Sequence, residues 1–220
     1  MNRPIRSYVL RQGRTTPAQT RALETLYPRY GIAFSHQILS SPRGAPLVLE
    51  IGSGMGETTL EIAKAHPETD FIAIEVHGPG VGSLLNAIER EQLANLRVIR
   101  HDALDVLEHM IADRSLAAIH LFFPDPWPKK RHHKRRMVQP AFAALAARKL
   151  KDGGILHAAT DWPDYAEHMD AVFSKEPLLE QAADGFTSRP VTKFESRGQR
   201  LGHPIRELLF RRAGKAPAAR

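Results

Sequence analysis

The chain has no cysteine among its 220 residues. That excludes a disulfide framework and any thiolate metal site, and it fits a reducing, cytoplasmic setting. No apolar run approaches the roughly 20 residues that span a bilayer. The opening MNRPIRSYVLRQGRTT is basic but has no apolar stretch behind it, so neither a membrane anchor nor a secretory signal is expected. Acid is also missing from residues 1–21, which carry +5. At this length one well-filled core is expected rather than two.

What is present is charge in blocks. Lys129 to Arg136 holds +6 and residues 211–220 hold +4, so with the N-terminal +5 the rest of the chain carries −8 against a total of +7. Like charges grouped on an acidic body create a field that steers a polyanion. The sequence divides into a basic N-terminal arm over residues 1–30, a body over 31–212 and a disordered Ala/Pro/Arg-rich tail over 213–220.

Within the body, strand-like and helix-like segments alternate. LVLEI (47–51), FIAIEV (71–76), LRVIRHD (96–102), LAAIHLFF (116–123) and ILHAAT (155–160) are apolar runs of strand length, and a helix is expected from Gln139 to Lys151, ahead of Gly153 and Gly154. That alternation predicts a Rossmann-like α/β fold, a mostly parallel sheet with helices on both faces. Ligands of such sheets bind beyond the carboxyl ends of the strands. Each of the five runs ends in, or is closely followed by, an acid: Glu50, Glu75, Asp102, Asp125 and Asp161.

The turn after the first run, GSGMGE, places Gly52, Gly54 and Gly56 where backbone can pass close to a ligand. Glu57 stands where a dinucleotide fingerprint requires glycine, and its charge would repel a pyrophosphate at a helix start. A glycine turn with Glu50 before it and Glu75 after the next strand suits S-adenosyl-L-methionine better: that cofactor has no phosphate, a cationic sulfonium and a ribose diol for a carboxylate to grip. The histidines of the basic block have no third partner in spacing, so no metal is expected.

LEIGSGMGETTL, FIAIEVH, RHDALDVL, LFFPDPWPKKRHHKRR, ATDWPDYAEHM and TKFESRG together resemble the bacterial tRNA (guanine-N7-)-methyltransferase family, from about residue 30 to residue 212. The resemblance implies a class I methyltransferase fold, S-adenosyl-L-methionine as donor, and methylation at N7 of guanine 46 in the variable loop of tRNA. It carries Glu50, Glu75, Asp102 and Asp125 to the cofactor pocket, beside the turn glycines Gly52 and Gly54. Lys129, Asp161, Thr192, Lys193, Phe194 and Glu195 are carried to the bound guanosine. Arg131, His132, His133, Lys134, Arg135 and Arg136 are carried to RNA contact. Residues 1–30 match poorly, and no role is carried there.

Guanine N7 has an in-plane lone pair and no hydrogen, so the reaction needs no general base. It needs positioning and a fixed negative charge beside the developing cation. Asp125, between Pro124 and Pro126, is the catalytic candidate, because proline on either side stiffens the loop that carries it. Trp127 would stack on the base or anchor the loop. Two other readings stand beside this one: a class I methyltransferase acting on another nucleic-acid amine, and a non-catalytic RNA-binding module.

Overall fold

A computed structural model describes residues 7–8, 13–185, 189–190 and 204–214. Thr192, Lys193, Phe194 and Glu195 lie outside the described residues, as do 215–220 of the expected tail. In chain order the elements are α1 (Pro17–Thr25), α2 (Tyr27–Tyr30), β1 (Gly31–Ile32), β2 (Leu47–Ile51), α3 (Glu57–Ala65), β3 (Asp70–Ile74), α4 (Gly78–Glu91), β4 (Leu96–Ile99), α5 (Ala103–Met110) and β5 (Leu116–Phe122). A 3-10 helix (Lys130–Arg135), α6 (Pro140–Lys149), β6 (Leu150–Thr160), α7 (Pro163–Phe173), β7 (Leu179–Gln181) and β8 (Arg206–Arg212) follow.

Every residue of β2, β3 and β5 is buried, as their continuous apolar runs require of strands covered on both faces. The sheet order is β1-β4-β3-β2-β5-β6-β8-β7. Pairings from β1 through β6 are parallel, and β8 joins β6 and β7 antiparallel. Side chains alternate across the sheet: Leu47, Leu49 and Ile51 pack with Val106, Phe142 and Tyr165 of α5, α6 and α7. Val48 and Ala73 pack on the other face with Ala22, Ile62 and Leu84 of α1, α3 and α4. Strand order reverses between β2 and β5, one chain path running out toward β3 and β4, the other toward β6. The adjoining loops splay there and leave a crevice at the strand ends.

The expected helix to Lys151 stops at Lys149, where β6 begins at Leu150, β7 and β8 were not expected, and two helices depart further from the sequence expectation. The stretch read as an arm carries a helix from Pro17, started by a capping box in which Gln19 N donates to Thr16 Oγ1 (3.2 Å) and Thr16 N to Gln19 Oε1 (2.8 Å). Its Gln19 side chain donates to Ser83 of α4 at 3.0 Å, so this helix is part of the body. The second departure is α4, GPGVGSLLNAIERE, where glycines mask the helical pattern. Packing explains two of them: a Cβ on Gly80 would meet the Gly54 carbonyl oxygen at 2.3 Å, and one on Gly82 would meet the Gln19 oxygen at 2.7 Å. Among the described residues, no helix is long and apolar enough to cross a membrane.

Gly80→Ala should therefore drive α4 away from the glycine turn. The expected cost is about 1–3 kcal/mol of overpacking, read as a lower urea midpoint. An unchanged midpoint would mean that the Gly54 turn moves aside freely.

Candidate active site at the strand ends

A cavity of about 200 Å³ opens at the carboxyl ends of β2, β3 and β5. Gly52, Glu75, His77, His101, Phe123 and Asp125 contribute to its wall, and Ser7 and Tyr8 reach it from the N-terminal side. The turn after β2 supplies the floor. Gly52 (φ 74°) and Gly54 (φ 57°) are both left-handed, and a Cβ on either would have no heavy atom within 4 Å. Conformation demands glycine there, and the space beside it stays open for a ligand. The turn is tied to the sheet by Gly52 N donating to Ile74 O at 2.8 Å.

Glu75 joins the parts of the cavity. Its Oε2 accepts from Gly54 N (2.8 Å), while Oε1 accepts from Val76 N (2.7 Å) and His77 N (2.9 Å) and faces His77 Nδ1 at 3.2 Å. One carboxylate thus fastens the glycine turn to the β3–α4 junction. Asp102 caps α5, accepting from Leu104 N at 2.9 Å, between the cavity-lining His101 and Ala103. Glu50 lies deeper. It is 4% exposed on the α3 face of β2, with Oε2 lacking a hydrogen-bond partner among the described residues, and its carboxyl is not on the cavity wall. Burial pushes that carboxyl up to about 7, offset only in part by the nearby Thr59 hydroxyl.

Asp125 sits at the opposite wall on a loop whose stiffness has more than proline behind it. Phe123 (φ 51°) and Trp127 (φ 45°) hold left-handed conformations unusual for bulky side chains, and tertiary contacts keep them there. Phe123 N donates to Ala159 O at 2.8 Å, the Trp127 indole N–H donates to Ser7 O at 3.1 Å, and Arg135 lies over the Trp127 ring at 5.0 Å. These contacts make Trp127 a loop anchor. The cavity walls desolvate the Asp125 carboxyl and push it above its usual range, with His77 lowering and Glu75 raising it further.

The basic block follows as the 3-10 helix. Lys129, Arg131, Lys134 and Arg135 are exposed. His132 is pushed below its ordinary range, first by desolvation and then by the cations around it. Arg136 departs from the expected RNA contact: its side chain is 1% exposed, ion-paired with Asp164 and donating from Nε to Pro126 O at 2.9 Å. Asp161 is exposed just beyond β6, two residues past Ala159, the register partner of Phe122. It does not cap α7, whose N-cap is Trp162. Asp164, which pairs with Arg136, escaped the sequence reading, although an acid in the first turn of a helix is a recognisable signal. Ser7 and Tyr8 escaped it because nothing in their spacing points to a pocket. Among the described residues, no group of three His, Asp or Glu side chains is placed to hold a metal ion.

The family model described as "Putative methyltransferase" matches residues 44–208. A tRNA (guanine-N(7)-)-methyltransferase of Nitrosomonas eutropha is 57% identical over 218 residues, covering 96% of this chain and 97% of its own. One from Nitrosospira multiformis is 54% identical and covers 96% of both chains. Among solved structures, the 16S rRNA (adenine(1408)-N(1))-methyltransferase with cosubstrate SAM from Catenulisporales acidiphilia superposes with a TM-score of 0.53. It is 14% identical, over 79% of this chain and 88% of that one, which is a likeness of fold.

Glu50 generates a prediction about pH. The folded state keeps a proton up to about 7 that the unfolded chain releases above about 4.5. Unfolding therefore releases a proton in that window, so this group's contribution to stability falls as pH rises through it and levels off above about 7. The loss is on the order of 3 kcal/mol. Glu50→Gln should remove it, so the difference in urea midpoint between wild type and variant should change from about pH 5 to about pH 8. A constant difference would mean that Glu50 is ionised in the folded protein.

Proposed function

As the chain belongs to the tRNA (guanine-N(7)-)-methyltransferase family, we propose that it transfers a methyl group to N7 of guanine 46 in the variable loop of tRNA, with S-adenosyl-L-methionine as donor. The observation that carries the reading is one arrangement: an open glycine turn clamped by Glu75, facing a stiff loop that presents Asp125 and runs directly into exposed cations.

The cavity's chemistry fits the donor. The open faces of Gly52 and Gly54 admit a ligand against backbone, and the acidic wall of Glu75 and Asp125 suits a cation and a ribose diol. When bound, S-adenosyl-L-methionine supplies an electrophilic methyl group. Glu75 keeps the turn in place while its Oε2, which among the described residues accepts from Gly54 N alone, has a lone pair left for a ribose hydroxyl. Asp102 and its neighbours close the adenine side of the pocket.

Asp125 serves the substrate. Its carboxylate accepts hydrogen bonds from guanine N1–H and the exocyclic amine, which selects guanine over adenine, and it balances the positive charge that builds on the purine. No proton has to leave N7 before attack, so the chain's contribution is orientation and electrostatics. Lys129 and Asp161 flank the same strand edge and hold the guanosine together with Thr192, Lys193, Phe194 and Glu195. Arg131, Lys134 and Arg135 grip phosphates, with His132 and His133 as hydrogen-bonding neighbours.

A methyl-transfer assay on unmodified tRNA, followed by nucleoside analysis, tests the reading. N7-methylguanosine is expected with wild-type transcript and none with a transcript lacking guanine at position 46. An exocyclic methylamine would point to an amino-directed methyltransferase, and no transfer at all would point to a binding module. Asp125→Asn should keep the fold and tRNA affinity but lower kcat by about 100-fold or more; near-wild-type turnover would remove Asp125 from the mechanism. For the exposed cations, log affinity for tRNA should fall linearly with log salt. Replacing Arg131, Lys134 and Arg135 by alanine should flatten that slope by about 2 units, and an unchanged slope would place the phosphate contacts elsewhere.

A further inference from the structure

We infer that Arg136 is a positioning residue for methyl transfer: its guanidinium locks the Asp125 loop to the start of α7 instead of meeting tRNA. The inference rests on the reading of Asp125 as the group that meets guanine. Arg136 ends a run of six cations, yet it alone among them is buried, at 3% exposure. Taking a guanidinium out of water is costly unless its donors are met and its charge is balanced. Here Nε and Nη2 both have partners, and Asp164 balances the charge. Nε donates to Pro126 O at 2.9 Å, Nη2 pairs with Asp164 and lies 3.1 Å from His133 Nε2, and the planar group sits 4.8 Å above the Tyr165 ring.

The partners are what make this a positioning device. Pro126 directly follows Asp125, so holding the Pro126 carbonyl fixes the chain one residue beyond the carboxylate. The near side is fixed by Phe123 N on Ala159 O. At the other end of the clamp, Tyr165 is fully buried, and its hydroxyl accepts from Val138 N at 3.2 Å, so α7 offers a rigid mount. Asp164 is held below the usual carboxylate range, first by its hydrogen bond from Arg136. Only arginine can reach a carbonyl and a carboxylate with one flat fork while stacking on a ring. Without the clamp, the strained Trp127 backbone has less to hold it, and Asp125 can shift by the ångström or so that a near-attack geometry does not tolerate.

The test is Arg136→Gln, alone and combined with Asp125→Asn. A fall in kcat of about 100-fold is expected for Arg136→Gln alone, with an unchanged salt slope for tRNA binding. In the Asp125→Asn background the same substitution should cost little more, because a residue that acts through Asp125 has nothing left to position. Losses that multiply in full would overturn the inference alone. A slope flattened by about 0.7–0.9 would do the same, by making Arg136 a phosphate contact. Wild-type turnover in Asp125→Asn itself would overturn the reading of Asp125, and this inference with it. If Arg136→Gln does not fold, Asp164→Asn breaks the ion pair from its solvent side, where the Asp164 side chain is 62% exposed. A fall in kcat that disappears in the Asp125→Asn background supports the clamp, and one that multiplies in full overturns it.

Discussion

The Glu75 carboxylate holds the cavity together. Three backbone N–H groups from two separate segments converge on it, and among the described residues the one from Gly54 has no strand or helix partner. A buried carboxylate requires such donors, and a left-handed glycine turn requires something to stop it unfolding into the space it faces. Each meets the other's need. Gly80 completes the arrangement, since only a residue without Cβ lets α4 lie against Gly54 closely enough for Glu75 to reach.

Across the cavity the same economy recurs with opposite charge. Phe123 and Trp127 hold unfavourable backbone angles, and the contacts that keep them there come from the sheet, from Ser7 and from the basic segment itself. The basic block is divided by exposure: Lys129, Arg131, Lys134 and Arg135 are exposed, whereas Arg136 is buried and donates to Pro126 O beside Asp125. Beneath both lies a row of cross-strand partners, Glu50, His120 and His157, on one face of the sheet. Burial raises Glu50 to about 7 and lowers His120 to about 3, and it lowers His157 as well. Burial thus shifts each of the three toward its neutral form.

The five central strands were legible in the sequence because buried parallel strands are continuous apolar runs, and all five core runs named from the sequence are strands of the sheet. Glu75, Asp102, Asp125 and Asp161 follow their strands, whereas Glu50 lies within β2 and is buried. The antiparallel β7 and β8 were not legible: β7 is three residues long, and β8, although paired on both sides, holds only Leu208, Leu209 and Phe210 between charged residues. Helix α4 was hidden by glycines that lower helix propensity locally and serve a contact made elsewhere in the fold.

By itself, the sequence determined the fold class, the strand-end crevice and the residue types that meet in it, because periodicity and spacing are local properties. Only the tertiary structure decided which of those residues share a cavity. Gly52, Glu75 and Asp125 do, whereas Glu50 lies a layer below because its place in β2 turns it to the α3 face. Arg136 shows the difference most clearly. In the sequence it is one more cation in a run, and its role follows from Pro126, Asp164 and Tyr165, partners up to 29 positions away that only folding brings to it.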